Sequence, residues 1–150
     1  MNQNDLMKDK KKFVVFSGKT YDARVASAVT LNALQKYHFL NMIVMQNNGF
    51  ESVPQDLWNY QYVAIIGVSP NDVGIRTIRS LVHDNNIVWI DNKRENIPLW
   101  SDYGMVPGDR VVGHSNTHLA WRFFHDMHTP PEMLRLFMDN YSVLDISRKL

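Results

Sequence analysis

Two aspartates and three cations sit where their chemistry could be pooled. Asp22 and Asp91 each follow a short apolar run, and Lys19, Lys93 and Arg94 lie beside them. Carboxylates and cations on one rim can hold a phosphate, hold a metal ion, or do no more than neutralise one another. If the apolar runs are strands of a parallel sheet, these residues leave them toward one edge. Ligands bind at that edge because loops and helix amino termini gather there. The rule nominates three segments: Ser17 to Asp22, Gly67 to Asp72 and Asp91 to Glu95. With them come the hydroxyls of Ser17 and Thr20 and the amide of Asn92 as candidate ligand contacts.

Each candidate also has a structural role open to it. Asp22 can serve as the N-cap of a following helix, which is compatible with binding. Asp91 can pair with Lys93 or Arg94 at the end of its strand. His114 and His118 are four apart and share a helical face, but the zinc-peptidase pattern needs a glutamate where Ser115 stands. His114 and His118 therefore read as capping or surface residues, with His114 also a candidate ligand contact, and Ser115-Asn116-Thr117 reads as a helix start, suited to capping or to contact with an anion. His125 and His128 read as helix-end residues favoured by the dipole. Trp58, Trp89 and Trp121 suit packing, whereas Trp100, in a long loop, could stack on a ligand or meet a partner chain.

The elements that must position these residues follow from periodicity. Phe13 to Phe16, Met42 to Met45, Tyr62 to Ile66 and Ile87 to Ile90 are apolar runs of the kind that form strands buried on both faces. Between them, Val25, Val29, Ala33 and Tyr37 recur at helical spacing after Asp22. A second helix, opened by Ser69-Pro70-Asn71-Asp72, should bury Ile75, Ile78 and Val82. Pro54 and Trp58 fall in a loop or short helix. Arg94 to Val112, with Pro98, Gly104, Pro107 and Gly108, reads as a loop. Ser115 or Asn116 then caps a helix with Leu119, Ala120, Phe123 and Phe124 inward, and Pro130-Pro131 starts another with Leu134, Phe137 and Met138 inward. The pattern predicts an α/β fold, a mostly parallel sheet of four or five strands with helices on both faces.

Composition narrows the function classes. The 150 residues suit one domain, read as 13–150 behind a basic tail over 1–12 that carries Lys8, Lys10, Lys11 and Lys12. A net charge of +1 gives no long-range pull toward nucleic acid or membrane. With no cysteine, thiolate catalysis, disulfides and cysteine-ligated zinc are excluded. No apolar run suits a signal peptide or the ~20 residues of a membrane span, so the expected location is the cytoplasm, without membrane contact.

The same segments carry a family likeness. "FVVFSGKTYDARVASA", "YVAIIGVSPND", "IVWIDNKREN" and "GHSNTHLAWRFFH…PPEMLRLFMDNY", in that order and spacing, resemble the DHH phosphoesterases from about Phe13 to Asp145. Members of that family use aspartates and histidines at these strand ends to bind two manganese ions and hydrolyse phosphodiester or polyphosphate bonds. The resemblance makes Asp22, Asp91 and, more loosely, Asp139 the remnants of a ligand set. It also sets the departures: Ser17 stands for the first motif's histidine, Thr20 for its first aspartate, Gly67 for the second motif's aspartate, and the signature reads Asp91-Asn92-Lys93. The second, substrate-binding domain usual in the family does not fit within these residues.

Two divalent ions need several anionic or imidazole ligands with a bridging carboxylate, and an ammonium at Lys93 would repel them. The expectation is a pseudoenzyme: no confident catalytic residue, no cofactor, and no metal, with Asp22 and Asp91 as the ligands if one were bound. Ser17, Lys19, Thr20, Asp22, Asp91, Asn92, Lys93, Arg94, His114, Ser115 and Asn116 would then bind a nucleotide, another phosphorylated small molecule or a protein partner. Two alternatives stay open. One is an active phosphodiester or phosphoanhydride hydrolase of small nucleotides, using manganese or magnesium in a reduced site. The other is a ligand-free interaction module, such as a homodimer. A compact accessory protein of this kind would suit a phage or mobile element.

Overall fold

Strands form here because short β-branched and aromatic runs can bury both faces at once. The structure, a computed structural model, describes residues 12–35, 38–44, 60–126 and 128–139. β1 (Lys12–Ser17), β2 (His38–Val44), β3 (Tyr62–Ile66), β4 (Ile87–Asp91) and β5 (Gly108–Arg110) form one sheet in the order β2-β1-β3-β4-β5. Every pairing is parallel. From β1 the chain steps outward to β2, then returns to build β3, β4 and β5 on the other side. That reversal between β1 and β3 is the switch point at which α/β sheets place their sites.

Alternate residues of each strand feed two cores. Val15, Ala64, Ile66, Val88 and Ile90 pack under α1 (Tyr21–Ala33) and α4 (Asn116–His125). Val14, Phe16, Val63, Ile65 and Trp89 pack under α2 (Asp72–Leu81) and α3 (Ile97–Asp102). The last helix, α5 (Glu132–Asp139), lies against α4 and adds Leu134 to the first core.

Sequence expectations need correction in four places, the last of them covering two residues. The stretch 94–112 is not a loop throughout, because it holds α3 and β5. Pro98 sits in the first turn of α3, where its missing N–H costs nothing. Gly108, with φ +140, is what lets β5 pair: a Cβ there would lie 1.9 Å from the Trp89 carbonyl oxygen. Second, Thr20 rather than Asp22 caps α1, its hydroxyl accepting from the Ala23 N–H at 3.1 Å. Third, α1 buries Val29 as expected, but beside it lies a face of small residues, Ala23, Ala26, Ser27 and Thr30, in place of Val25 and Ala33, which are only half-buried. Small side chains let α1 approach α4 closely. Fourth, Phe123 is exposed rather than inward, and Lys12 belongs to β1 rather than to a tail. Tyr37, Pro54, Trp58, residues 1–11 and the side chains of Phe137 and Asp139 lie outside the described residues. Among the described residues no helix is long and apolar enough to cross a membrane.

Candidate functional site

Ser17, Ile66 and Asp91 lie at the carboxyl ends of three adjacent parallel strands, β1, β3 and β4. At ~4.8 Å per strand step, the ends of β1 and β4 are roughly 10 Å apart. The α4 start joins them, because it bonds both to Asp22 and, through the His114 carbonyl, to the Asn92 amide at 2.8 Å. The expected convergence of the nominated loops is therefore present. What fills the space between them is the chain itself.

The centre is closed by glycine. Gly67 has φ +70, and a Cβ on it would lie 2.4 Å from the Ala23 Cβ, while one on Gly18 would lie 2.3 Å from the Gly67 oxygen. These positions allow the β1–α1 and β3–α2 turns to touch with no room between them. Ser17 is fully buried, donates to the Gly18 oxygen at 2.9 Å and accepts from the Ser27 hydroxyl at 2.9 Å. It is part of the packing rather than a ligand contact. Thr20 is likewise committed to its cap.

Asp22 is 4% exposed and sits beneath the α4 amino terminus. Its Oδ2 accepts from the Asn116 N–H at 2.8 Å, and its Oδ1 accepts from the Thr117 N–H at 3.0 Å and the Thr117 hydroxyl at 2.8 Å. A carboxylate at a helix amino terminus gains from the orphan N–H groups and the dipole together. So Asp22 does cap a helix, but α4 instead of the one it belongs to. Ser115 caps α4 as well, accepting from the His118 N–H at 3.0 Å.

Asp91 is 1% exposed. Its Oδ1 accepts from the Asn92 N–H at 2.8 Å; its Oδ2 accepts from the Ser69 hydroxyl at 2.7 Å and the Asn96 amide at 2.8 Å; the Lys93 N–H also donates. Burial pushes the Asp91 carboxyl above the usual carboxylate range, although all four donors pull it down. Ser69 in turn accepts from the Trp89 and Trp100 indoles, each at 3.1 Å. Trp100 is thus a buried hydrogen-bond donor and is not free to stack on a ligand.

The remaining nominees line the outside. Lys19, Lys93, Arg94 and His114 are exposed, and the His114 and His118 rings stack at 4.6 Å. Asn116 is 4% exposed, and its Oδ1 is buried with no hydrogen-bond partner. Sequence reasoning missed Asn96, and it touched Ser69 and Thr117 only as members of a segment, without singling out either side chain. Ser69 and Thr117 both stood in segments read as helix starts, where hydroxyls look like caps.

These residues do not fit a two-metal centre. A carboxylate offers about four lone-pair sites. Asp91 spends its four on protein donors and Asp22 three of its own. Among the described residues no three His, Cys, Asp or Glu side chains cluster so as to hold an ion. The arrangement can position loops and present cations; among the described residues, the carboxylates of Asp22 and Asp91 and the hydroxyls of Ser17, Thr20, Ser69 and Thr117 are all engaged by the protein itself. No family model, no curated protein and no solved structure matches the chain.

Proposed function

We propose that the chain is a cytoplasmic, non-catalytic relative of the DHH phosphoesterases that binds a nucleotide or another phosphorylated ligand on the rim of its carboxyl edge. The observation that carries this reading is the internal satisfaction of Asp22 and Asp91: seven acceptor positions are filled by the chain's own donors. Hydrolysis of the family's kind would require those oxygens for metal ions, and freeing them would leave the Asn116 and Thr117 N–H groups of α4 without their acceptor and Ser69 without its own. Support for anion binding is separate. Lys19 and Arg94 are exposed on this edge, and the amino termini of α1, α2 and α4 point toward it. Because Gly18, Gly67 and Ala23 fill the centre, the ligand would lie across the rim instead of entering a deep crevice.

Thermal unfolding with nucleotides, cyclic dinucleotides and manganese tests the proposal. A ligand specific to the folded state at ~100 times its Kd adds about 2.7 kcal/mol and raises Tm accordingly. The expected result is a Tm increase with a nucleotide, abolished by Lys19→Glu and unchanged by manganese. The companion assay is turnover of a dinucleotide and a cyclic dinucleotide in excess manganese, where none is expected. Robust turnover abolished by Asp91→Ala would overturn the non-catalytic reading in favour of an active phosphoesterase.

A further inference from the structure

His114 and His118 flank the start of α4, and their rings stack with centroids 4.6 Å apart and planes 17° from parallel. His114 is exposed and His118 half-buried. The backbone under both rings is anchored. The His114 carbonyl accepts from the Asn92 amide at 2.8 Å, which ties it to the loop after β4. The His118 N–H donates to the Ser115 hydroxyl at 3.0 Å, in the first turn of α4. Between them, the Asn116 and Thr117 N–H groups are held by Asp22.

Imidazole is a ligand that suits zinc, nickel and copper, whereas manganese and magnesium prefer oxygen. In a tetrahedral shell, zinc–nitrogen bonds of ~2.1 Å set two ligating nitrogens roughly 3.4 Å apart. Rings whose centroids are already 4.6 Å apart can reach that separation by turning about their Cβ–Cγ bonds, a torsion with a broad profile. Each histidine would bind through one nitrogen, which leaves the other for a hydrogen bond, as is usual for ligating histidines. The electrostatics also permit a cation. The amino terminus of α4 carries roughly half a positive charge, and the Asp22 carboxylate beneath it offsets that. Lys93 and Arg94 on the neighbouring loop are exposed, where water and salt screen them.

We infer that His114 and His118 together bind one divalent cation of the zinc, nickel and copper class on the rim beside β4. Two positions of a tetrahedral shell are left for water or an incoming anion. Ser115 stands where a zinc peptidase has its glutamate, and among the described residues no third His, Cys, Asp or Glu side chain completes the set. The site therefore binds an exchangeable ion and does not hydrolyse. It uses neither Asp22 nor Asp91 as a ligand, so it stands apart from the nucleotide reading and from any manganese centre.

Calorimetric titration of the full chain with zinc chloride, and separately with nickel chloride, tests the inference. One equivalent of either ion should bind, and excess magnesium or manganese should not displace it. His114→Gln and His118→Gln should each weaken binding at least about tenfold, a cost already reached by groups that only orient a ligand. His128→Gln, at an exposed histidine beyond the carboxyl end of α4, should leave binding within about twofold. One equivalent of copper(II) on the unaltered chain should show two imidazole nitrogens in its paramagnetic resonance spectrum, a readout independent of how the variants fold. Failure of both zinc and nickel to bind at millimolar concentration overturns the inference. So does binding that survives His114→Gln or His118→Gln, or a copper spectrum with a single bound imidazole.

Discussion

Asp22 and Asp91 stand on the same edge and are buried to nearly the same degree, yet they are satisfied in opposite ways. Asp22 takes its donors from residues 94 and 95 positions away, at the start of one helix. Asp91 takes its donors from the loops around its own strand, residues 69 to 96. The first carboxylate joins two helices and gains from backbone N–H groups with no other partner. The second anchors a local excursion, and its cost of desolvation shows in its raised pKa. Equal burial therefore does not mean equal contribution; the donor's alternatives decide it.

Replacing each aspartate separates the two cases. Asp22→Ala should have the largest effect, about 3 kcal/mol, because it orphans three buried donors at the α4 amino terminus. For a chain of this size that is roughly a 6–12 °C loss in Tm. Asp91→Ala should cost less, about 2 kcal/mol, since relief of a desolvated charge offsets part of the loss of its acceptor. Calorimetry of both variants at neutral pH gives the ranking, and a larger effect at Asp91 would break the comparison.

The smallest effect sharpens it. A carboxyl whose folded pKa is raised holds its proton more tightly when folded. Its contribution is greatest under acid and falls as pH rises from the ordinary value near ~3.9 through the raised one. Asp91→Asn should cost about 1 kcal/mol at low pH, because an amide hydrogen must face a donor. The gap to wild type should narrow as pH rises across that window. Unfolding curves at several pH values check it; a widening gap would mean that the four donors outweigh burial.

The strands were legible because buried parallel strands need unbroken apolar runs, which Tyr62 to Ile66 and Ile87 to Ile90 supply. β5 was not, because Gly-Asp-Arg has no apolar signal and depends on a glycine that only its neighbour's carbonyl requires. At the edge, the residue types at Asp22 and Asp91 were legible, and their partners were not. A carboxylate does not reveal whether the donor it meets comes from a ligand or from an amide 94 residues later. Trp100 misled for a similar reason: Pro98 and Gly104 made its surroundings look like loop, whereas Ser69 draws its indole inward.

The bond between Asp22 and the α4 start also sets a clock on synthesis. At ~5–20 residues per second, about 5–20 s separate the emergence of Asp22 from that of Thr117 on the ribosome. Through that interval α1 has neither α4 to rest on nor a large apolar face of its own, since Ala23, Ala26, Ser27 and Thr30 bury little area. The first made of the described helices is thereby one of the last to be secured. A nascent chain halted before residue 116 should leave α1 open to protease, whatever the strands have already formed.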